Sequence, residues 1–524
     1  MLEAVTDRLS VANVLIGLAV AAVLRHIVLR MNEERKIKQL GGHAAARTTW
    51  VPLGLPIVYD AVKYLLAHRN LELWQMQFRV YGRQQNPYTI ESRIMGGRII
   101  LTADEENIKA ILATQFADYG KGEVFNQEWH DFLGDSIFTT DGPKWHEARH
   151  LLRPQFIKNR VSDLHIFERH VAVLLPMLER GSQSQGPADA DDEVELVDLF
   201  FRFTLDAATE FLLGTSVDSL LNPRDRFASA FAAVQHTQSL IARTGPLNIL
   251  VPRRAFHAGL KVMEEVISPF IDAALRLSPA ELTRKADDDA AGYNFLYALA
   301  AYTRDRTVLR DQIAAVLLAG RDTTACTLSW LFDALARNAD IVRKLRREIA
   351  ATVGMDRIPT YADLKGMRYL QHTINETLRL YPIVPFNVRV ALRDTTLPRG
   401  GGKDGDQPMA VLKGTPVGYS TLALQRREDI YPPVSETFPD LLEFVPERWE
   451  GWTPRPWTYV PFNGGPRICI GQQFALTEVA YTTVRILQTF SGVESRMSKP
   501  AALKTDIVLQ PAAGVRVAFT RDEK

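Results

Sequence analysis

Ten residues near the C-terminal end, FNGGPRICIG from Phe462 to Gly471, hold one of only two cysteines among 524 residues. Three glycines and a proline in so short a span break both helical and strand periodicity, so the segment reads as a tight turn. Gly464, Gly465 and Gly471 let main chain come close to a bound group and turn amides toward the sulfur of Cys469. A cysteine binds metal as its thiolate, which nearby cations and N–H donors favour. Arg467 adds a planar fork suited to a carboxylate. No second Cys or His stands at zinc spacing around Cys469, so a local zinc site of four cysteines, or of paired cysteines and histidines, is excluded. The other cysteine, Cys326, sits on an apolar stretch without such a setting. Two cysteines also exclude a disulfide framework and suit a reducing compartment. A thiolate at 469 would serve a metal whose other ligands come from elsewhere; the alternative for Cys469 taken alone is a small buried hydrophobe in a turn.

The body around this turn is read from its periodicity. Apolar residues recur at three- and four-residue spacing in DLFFRFTLDAATEFLLG, DQIAAVLLAGRDTTACTLSWLFDALARN and YLQHTINETLRLY, which predicts helices. Strand-like alternation is confined to short pieces such as SRIMGGRIILT, AVLKGTPVGYS and GVRVAFT. The fold class is thus mainly α with small antiparallel β-sheets, and 46% hydrophobic residues suffice for a large core. Polar stretches at 182–195, 278–292 and 398–408 are expected as solvated connections. The last, PRGGGKDGDQP, lacks the spacing of a phosphate-binding loop, and there is no internal repeat. Lys and Arg total 62 against 61 Asp and Glu, so no global field points to nucleic acid as a partner.

The N-terminal region differs. Residues 9–24 carry no charge, and extending to Leu29 gives about the 20 residues that span a bilayer core. The segment 9–29 is read as a transmembrane anchor, with residues 1–8 as a lumenal N-terminus. Glu3 and Asp7 offset Arg8, which argues against a cleaved signal peptide. Arg30, Arg35, Lys36 and Lys38 follow the span and place the body in the cytosol by the positive-inside rule. Residues 30–51, with Gly41 and Gly42, are expected as a linker, and 52–524 as the catalytic domain.

Haem suits a single protein thiolate, because its porphyrin supplies four ligands. At this point the turn shows a resemblance: F-x-x-G-x-R-x-C-x-G is similar to the haem-thiolate turn of the cytochrome P-450 superfamily, with Phe462, Gly465, Arg467, Cys469 and Gly471 at its defining positions. Three further motifs stand in the family's order. Trp145 and Arg149 lie four apart in DGPKWHEARHLLRPQF; AGRDTT runs from Ala319 to Thr324; Glu376 and Arg379 in NETLRL precede Arg448 in FVPERW. The resemblance implies the P-450 fold, with a long central helix over haem b and Cys469 as the axial metal ligand. It implies haem contacts at Ala319 and Gly320, and haem propionates held by Trp145, Arg149, Arg389 and Arg467. Asp322 and Thr323 become the catalytic proton relay, and Glu376, Arg379 and Arg448 a buried structural triad bracing the cysteine turn.

No flavin or dinucleotide domain is legible in the chain, so electrons are expected from an NADPH-cytochrome P-450 reductase, with cytochrome b5 as an additional partner the family offers. Lys144, His146 and Arg153 flank the propionate helix as a candidate docking patch. The implied location is the endoplasmic reticulum membrane, single-pass, with an apolar lipid-like substrate and membrane lipid as partners. LYPIVPFNVRVALRDTTLPRGGGKDG, the GKG at Gly120 to Gly122 and LRPQF are similar to the fungal group hydroxylating n-alkanes and fatty acids at the chain end. Phe386 departs from that group's pattern, in which a basic residue precedes the Asn. Leu240, Leu247 and Leu250 are expected in core packing. The competing readings are a sterol or secondary-metabolite hydroxylase of the same chemistry, a haem-thiolate isomerase or peroxygenase, and a non-enzymatic membrane haem protein. The Asp322–Thr323 pair argues against the isomerase or peroxygenase, and a kinked distal helix at AGRDTT against the non-enzymatic protein.

Overall fold

In the computed structural model the described residues are 11–157, 163–180, 193–286, 293–435 and 438–522. The expected lumenal segment 1–8 and the first two residues of the anchor lie outside them. Helix α1 (Val11–Gln39) is unbroken, about 44 Å long at 1.5 Å per residue, and its apolar side chains from Val14 to Leu29 are exposed. The expected membrane span and the beginning of the expected linker are thus one helix. Nothing between Arg30 and Lys38 breaks the period, and the chain stops being helical only as Gly41 and Gly42 approach. The last turns of α1 dock on the body: Arg30 donates to the Gly96 carbonyl at 3.0 Å and Arg93 to Glu33 at 3.0 Å. His43 sits between Glu34 and Glu91 at 2.7 and 2.6 Å. Residues 45–47 then form the first strand of the main sheet, so residues 30–51 are not a free connector.

That sheet has six strands, β1 (Ala45–Arg47), β2 (Thr89–Ile94), β3 (Gly97–Thr102), β4 (Tyr119–Gly120), β5 (Phe386–Ala391) and β6 (Pro416–Ser420), in the order β1-β2-β3-β6-β5-β4. The expected antiparallel pairing holds for β2–β3, β5–β6 and β4–β5. By contrast, β1 on β2 and β3 on β6 are parallel, because both junctions join strands distant in the chain and no hairpin sets their direction. The expected loop 398–408 is mostly a hairpin of strands Thr395–Gly401 and Gln407–Val411. In the expected loop 278–292, Pro279–Ala286 is helical, with Leu282 and Ala286 buried on one face at four-residue spacing; residues 287–292 lie outside the described set. Of 182–195, Val194–Glu195 pairs with the C-terminal strand Arg516–Thr520.

The helices carry the bulk. After α2 (Leu55–Leu66) come α3 (Gly142–Leu152), α4 (Leu196–Leu213), α5 (Arg226–Thr244) and α6 (Arg254–Arg276). The 32-residue α7 (Arg306–Arg337) is followed by α8 (Arg368–Leu380) and α9 (Gln472–Thr489). Asp305 caps α7 by accepting from the amides of Thr307 and Val308 at 2.8 and 3.2 Å. Two cores meet along this helix: Ile313 and Leu317 pack with α4, α5 and α6, whereas Trp330, Leu331 and Phe332 pack with α8 and α9. A helix apolar on all sides belongs in such a place. It is the axle of the molecule, and the cysteine turn enters directly before α9.

Candidate active site

The turn is fixed by close backbone contacts. Gly465 has φ 64°, and a Cβ there would lie 1.9 Å from the Leu112 carbonyl oxygen, so only glycine fits. The Cys469 amide donates to the Phe462 carbonyl at 2.9 Å and that of Ile468 to Gly465 at 3.1 Å. Gly471 has ordinary φ, and a Cβ there would only touch Phe156 at 3.8 Å, so the protein itself sets no limit on a side chain at this position. The sulfur is accessible from a cleft of about 530 Å³ lined by Trp145, Arg149, Phe156, Gly465, Cys469 and Ile470. Surrounding protein pushes the Cys469 thiol up, while the Gly471 amide and Arg149 pull it back toward the thiolate. Arg149 itself donates to the Ile468 carbonyl at 3.1 Å.

The turn is tied to α8. Glu376 takes Arg379 on both oxygens, at 2.7 and 2.8 Å, and Arg448 on Oε1 at 3.2 Å; all three side chains are 0% exposed. Arg448 goes on to the carbonyls of Pro439 and Asp440, each at 2.9 Å. Trp449 Nε1 and the Val445 amide also donate to Glu376, at 3.0 and 3.1 Å. A buried carboxylate so fully paired is costly to disturb, about 3–5 kcal/mol for loss of one partner. The direct strut to the turn is a residue with no motif or spacing to single it out. Buried Gln425 donates to the Leu378 and Arg379 carbonyls at 2.9 and 3.0 Å and accepts from the Val460 amide, two residues before Phe462, at 3.0 Å.

Beside the turn lies an excess of buried positive charge. Arg467 donates to Asp141 at 2.5 Å and to the Thr140 carbonyl at 2.9 Å, yet its Nε is buried without a partner. Burial and neighbouring Arg389 lower Arg467 to about 10. Arg389 is bound only to the neutral oxygens of Asn387 and Val388, at 2.8 and 2.9 Å. Lys121, from the GKG segment, joins them: burial, then Arg389 and Arg467, push its ammonium well down. Three cations thus face one carboxylate, Asp141. Trp145 is buried against this group, with the Arg467 guanidinium 4.6 Å from its ring centre. Lys121 was not foreseen as a site residue; two flanking glycines gave no hint that the topology would bring it to Arg389 and Arg467.

Helix α7 supplies the opposite feature. Within an almost wholly buried run, Val316, Ala319, Gly320 and Thr323 remain accessible. Spaced i, i+3, i+4, i+7, they form a single face of the helix. Thr323 donates from Oγ1 to the Ala319 carbonyl at 2.6 Å, the back-bonding its position in a helix favours. Asp322 points the other way, buried, and burial raises its carboxyl against the opposing pull of Arg321 and Gln235. Cys326, one turn further, is buried and its thiol is held well up, so it offers no competing thiolate. A third unforeseen residue is Glu478 on α9, fully buried near Thr324 and pushed up to about 8 by desolvation.

Taken together, an accessible thiolate position, a pocket rich in cationic side chains with an unpartnered guanidinium nitrogen and an accessible helix face with small residues fit a flat dianion carrying a metal. The donor set is that of a haem-thiolate protein. A model of the family described as cytochrome P-450 matches residues 56–519. The chain is 46% identical to a cytochrome P-450 monooxygenase, pvhE, of Talaromyces variabilis, covering 99% of this chain and 97% of that one. It is 39% identical to cytochrome P-450 52A1 of Candida tropicalis, over 92% and 89% of the two chains. With cytochrome P-450 52A4 of Candida maltosa the identity is 41%, over 85% and 83%. The chain belongs to the cytochrome P-450 family and is an oxidoreductase of the monooxygenase type. Membership implies a haem with a thiolate ligand, a redox partner and a hydrophobic substrate.

Proposed function

We propose that the protein hydroxylates the terminal carbon of n-alkanes or fatty acids, using O2 and electrons that an NADPH-dependent reductase delivers at the endoplasmic reticulum membrane. Haem, when bound, supplies oxygen activation and C–H oxidation. This chain's part is to hold and present. Cys469 anchors the group from the turn; Arg389, Arg467 and Lys121 meet its carboxylates, with Trp145 packed beside them; Arg149 supports the turn's main chain. Thr323 presents a hydroxyl on the accessible face of α7, and Asp322 beside it handles the proton.

The observation that carries the substrate class is the apolar, membrane-directed surface. Trp50 is 95% exposed, Leu66 76%, Ile249 81% and Leu250 74%. The residues expected in core packing, Leu240 and Leu250, are in fact on the surface, because the α5–α6 connection leaves the body there; the side chain of Leu247 lies outside the described set. The start of the helix after α2 and the end of α5 meet at one point: Asn70 bonds Thr505, and Arg243 donates to the Thr505 and Asp506 carbonyls at 2.5 and 2.7 Å. Leu66 and the α5–α6 connection therefore share a side of the molecule. An apolar patch next to a membrane helix suits entry of a lipid-like substrate from the bilayer.

Support for the chain-end reading is the resemblance of the 380–405 segment together with the 52A1 and 52A4 relatives. Its departure, Phe386, stacks on Trp74 at 5.1 Å and 19°, so the ring is used in packing. Membranes holding this protein, a diflavin reductase and NADPH are expected to convert dodecane, lauric acid or oleic acid to terminal alcohols. Oxidation of sterols with none of these three converted overturns the substrate class.

A further inference from the structure

Gln235 of α5 is 92% shielded from solvent and reaches α7 through both ends of its amide. Its Nε2 donates to Asp322 Oδ2 at 2.6 Å, and its Oε1 accepts from Arg321 Nη1 at 2.9 Å. The same guanidinium nitrogen donates to Asp322 Oδ1 at 3.1 Å, closing a three-residue ring. Arg321 is held from the other sides by the rings of Phe201 and Phe231, at 4.8 and 5.3 Å. Both carboxylate oxygens are thereby engaged on the α5 side of α7, and Thr323 is bonded to its own helix. For Asp322 to pass a proton toward Thr323, one of its two bonds must open, and only the bond to Gln235 crosses to another element.

We infer that Gln235 is a positioning residue for proton transfer: it holds Asp322 in its orientation on α7, and its release links the position of α5 to the availability of that carboxylate. The inference rests on the reading of Asp322 as a proton relay. Other charged or titratable groups toward Asp322 are Arg321 on α7, Asp506, which is paired with Arg243 at 3.9 Å, and the buried thiol of Cys326. Of these, Asp506 favours the neutral acid and Arg321 the carboxylate. The amide N–H of Gln235 also favours the carboxylate, so its removal moves the titration of Asp322 upward.

The test compares the full-length haem-loaded protein with Gln235→Leu, Asp322→Asn and the double variant. Gln235→Met, of matching length, replaces the leucine variant should that one fail to load haem. Infrared titration identifies the protonated Asp322 band as the one missing from Asp322→Asn. In Gln235→Leu this band is expected to persist about half to one pH unit higher, and the pH at which lauric acid oxidation per NADPH is half-maximal is expected to move with it. The double variant should be no worse coupled than Asp322→Asn alone, a non-additivity that a general packing role does not produce. A band that titrates unchanged in Gln235→Leu overturns the inference, and this arm needs no turnover. Asp322→Asn with parental coupling overturns the relay reading instead, and a proton-transfer role for Gln235 with it.

Discussion

At the scale of single residues, the site is governed by where charge is buried. Among the described residues Lys121, Arg389 and Arg467 share one carboxylate, Asp141, an excess that pushes the Lys121 ammonium well down and that a bound anion would balance. Lys121→Met should therefore weaken haem retention, by about tenfold or more if the loss matches a charged hydrogen bond of ~1.5–3 kcal/mol. The check is the rate of haem transfer to excess apomyoglobin; unchanged retention would place Lys121 outside the site. Glu478 gives a prediction of opposite character. Burial lifts its carboxyl to about 8, above the ordinary 4.5 of a glutamate, so between those limits the unfolded chain holds fewer protons and stability falls as pH rises. Glu478→Gln removes that dependence, and its thermal midpoint relative to the parent should climb from pH 5 to pH 8. A constant difference across that range would show that Glu478 ionises normally. Neither residue was foreseen. A lysine between glycines and a glutamate nine residues after the cysteine have no periodic or spacing signature, and their roles arise only when α7, α9 and β5 converge.

At the scale of elements, α1 joins two stretches that the sequence reading separates as anchor and linker. The apolar side chains from Val14 to Leu29 are exposed, whereas Arg30 to Arg47 hold the β-sheet through Arg30, Glu33, His43 and the β1–β2 ladder. Deleting residues 1–29 should leave a folded haem protein whose membrane association is weakened but retained through Trp50, Leu66 and Leu250. Deleting residues 1–47 strips β1 from the parallel pair and should lower the thermal midpoint by several degrees. Sedimentation with liposomes and calorimetry distinguish the two, and equal stability of both truncations would contradict the docking of α1. Periodicity reveals the long helices because 3.6-residue spacing survives burial. It missed the helix at Pro279–Ala286, where three nearby aspartates gave a loop-like composition, and it could not show that β1–β2 and β3–β6 pair in parallel, since register between distant strands is a tertiary property.

At the scale of the whole molecule, α7 as axle, the Glu376 cluster and the Gln425 strut bring the cysteine turn to a defined position beside an accessible helix face, with a long apolar N-terminal helix continued into the body. The cysteine turn and the Ala319–Thr324 segment were legible as short runs whose residue types make chemical sense together, whereas the Glu376–Arg379–Arg448 cluster, whose last member is 72 residues away, was legible only through the family resemblance. Gln425 and Gln235 were not, because a neutral amide acquires its meaning from partners far away in sequence. All of this depends on Cys469 being the ligand that carries the metal. Dithionite reduction followed by carbon monoxide is the direct measurement: the parent protein is expected to show the strongly red-shifted Soret band of a thiolate-ligated haem, and Cys469→Ser to lose it. A freshly purified, pigmented parent without that band, or a serine variant that keeps it, would contradict the account.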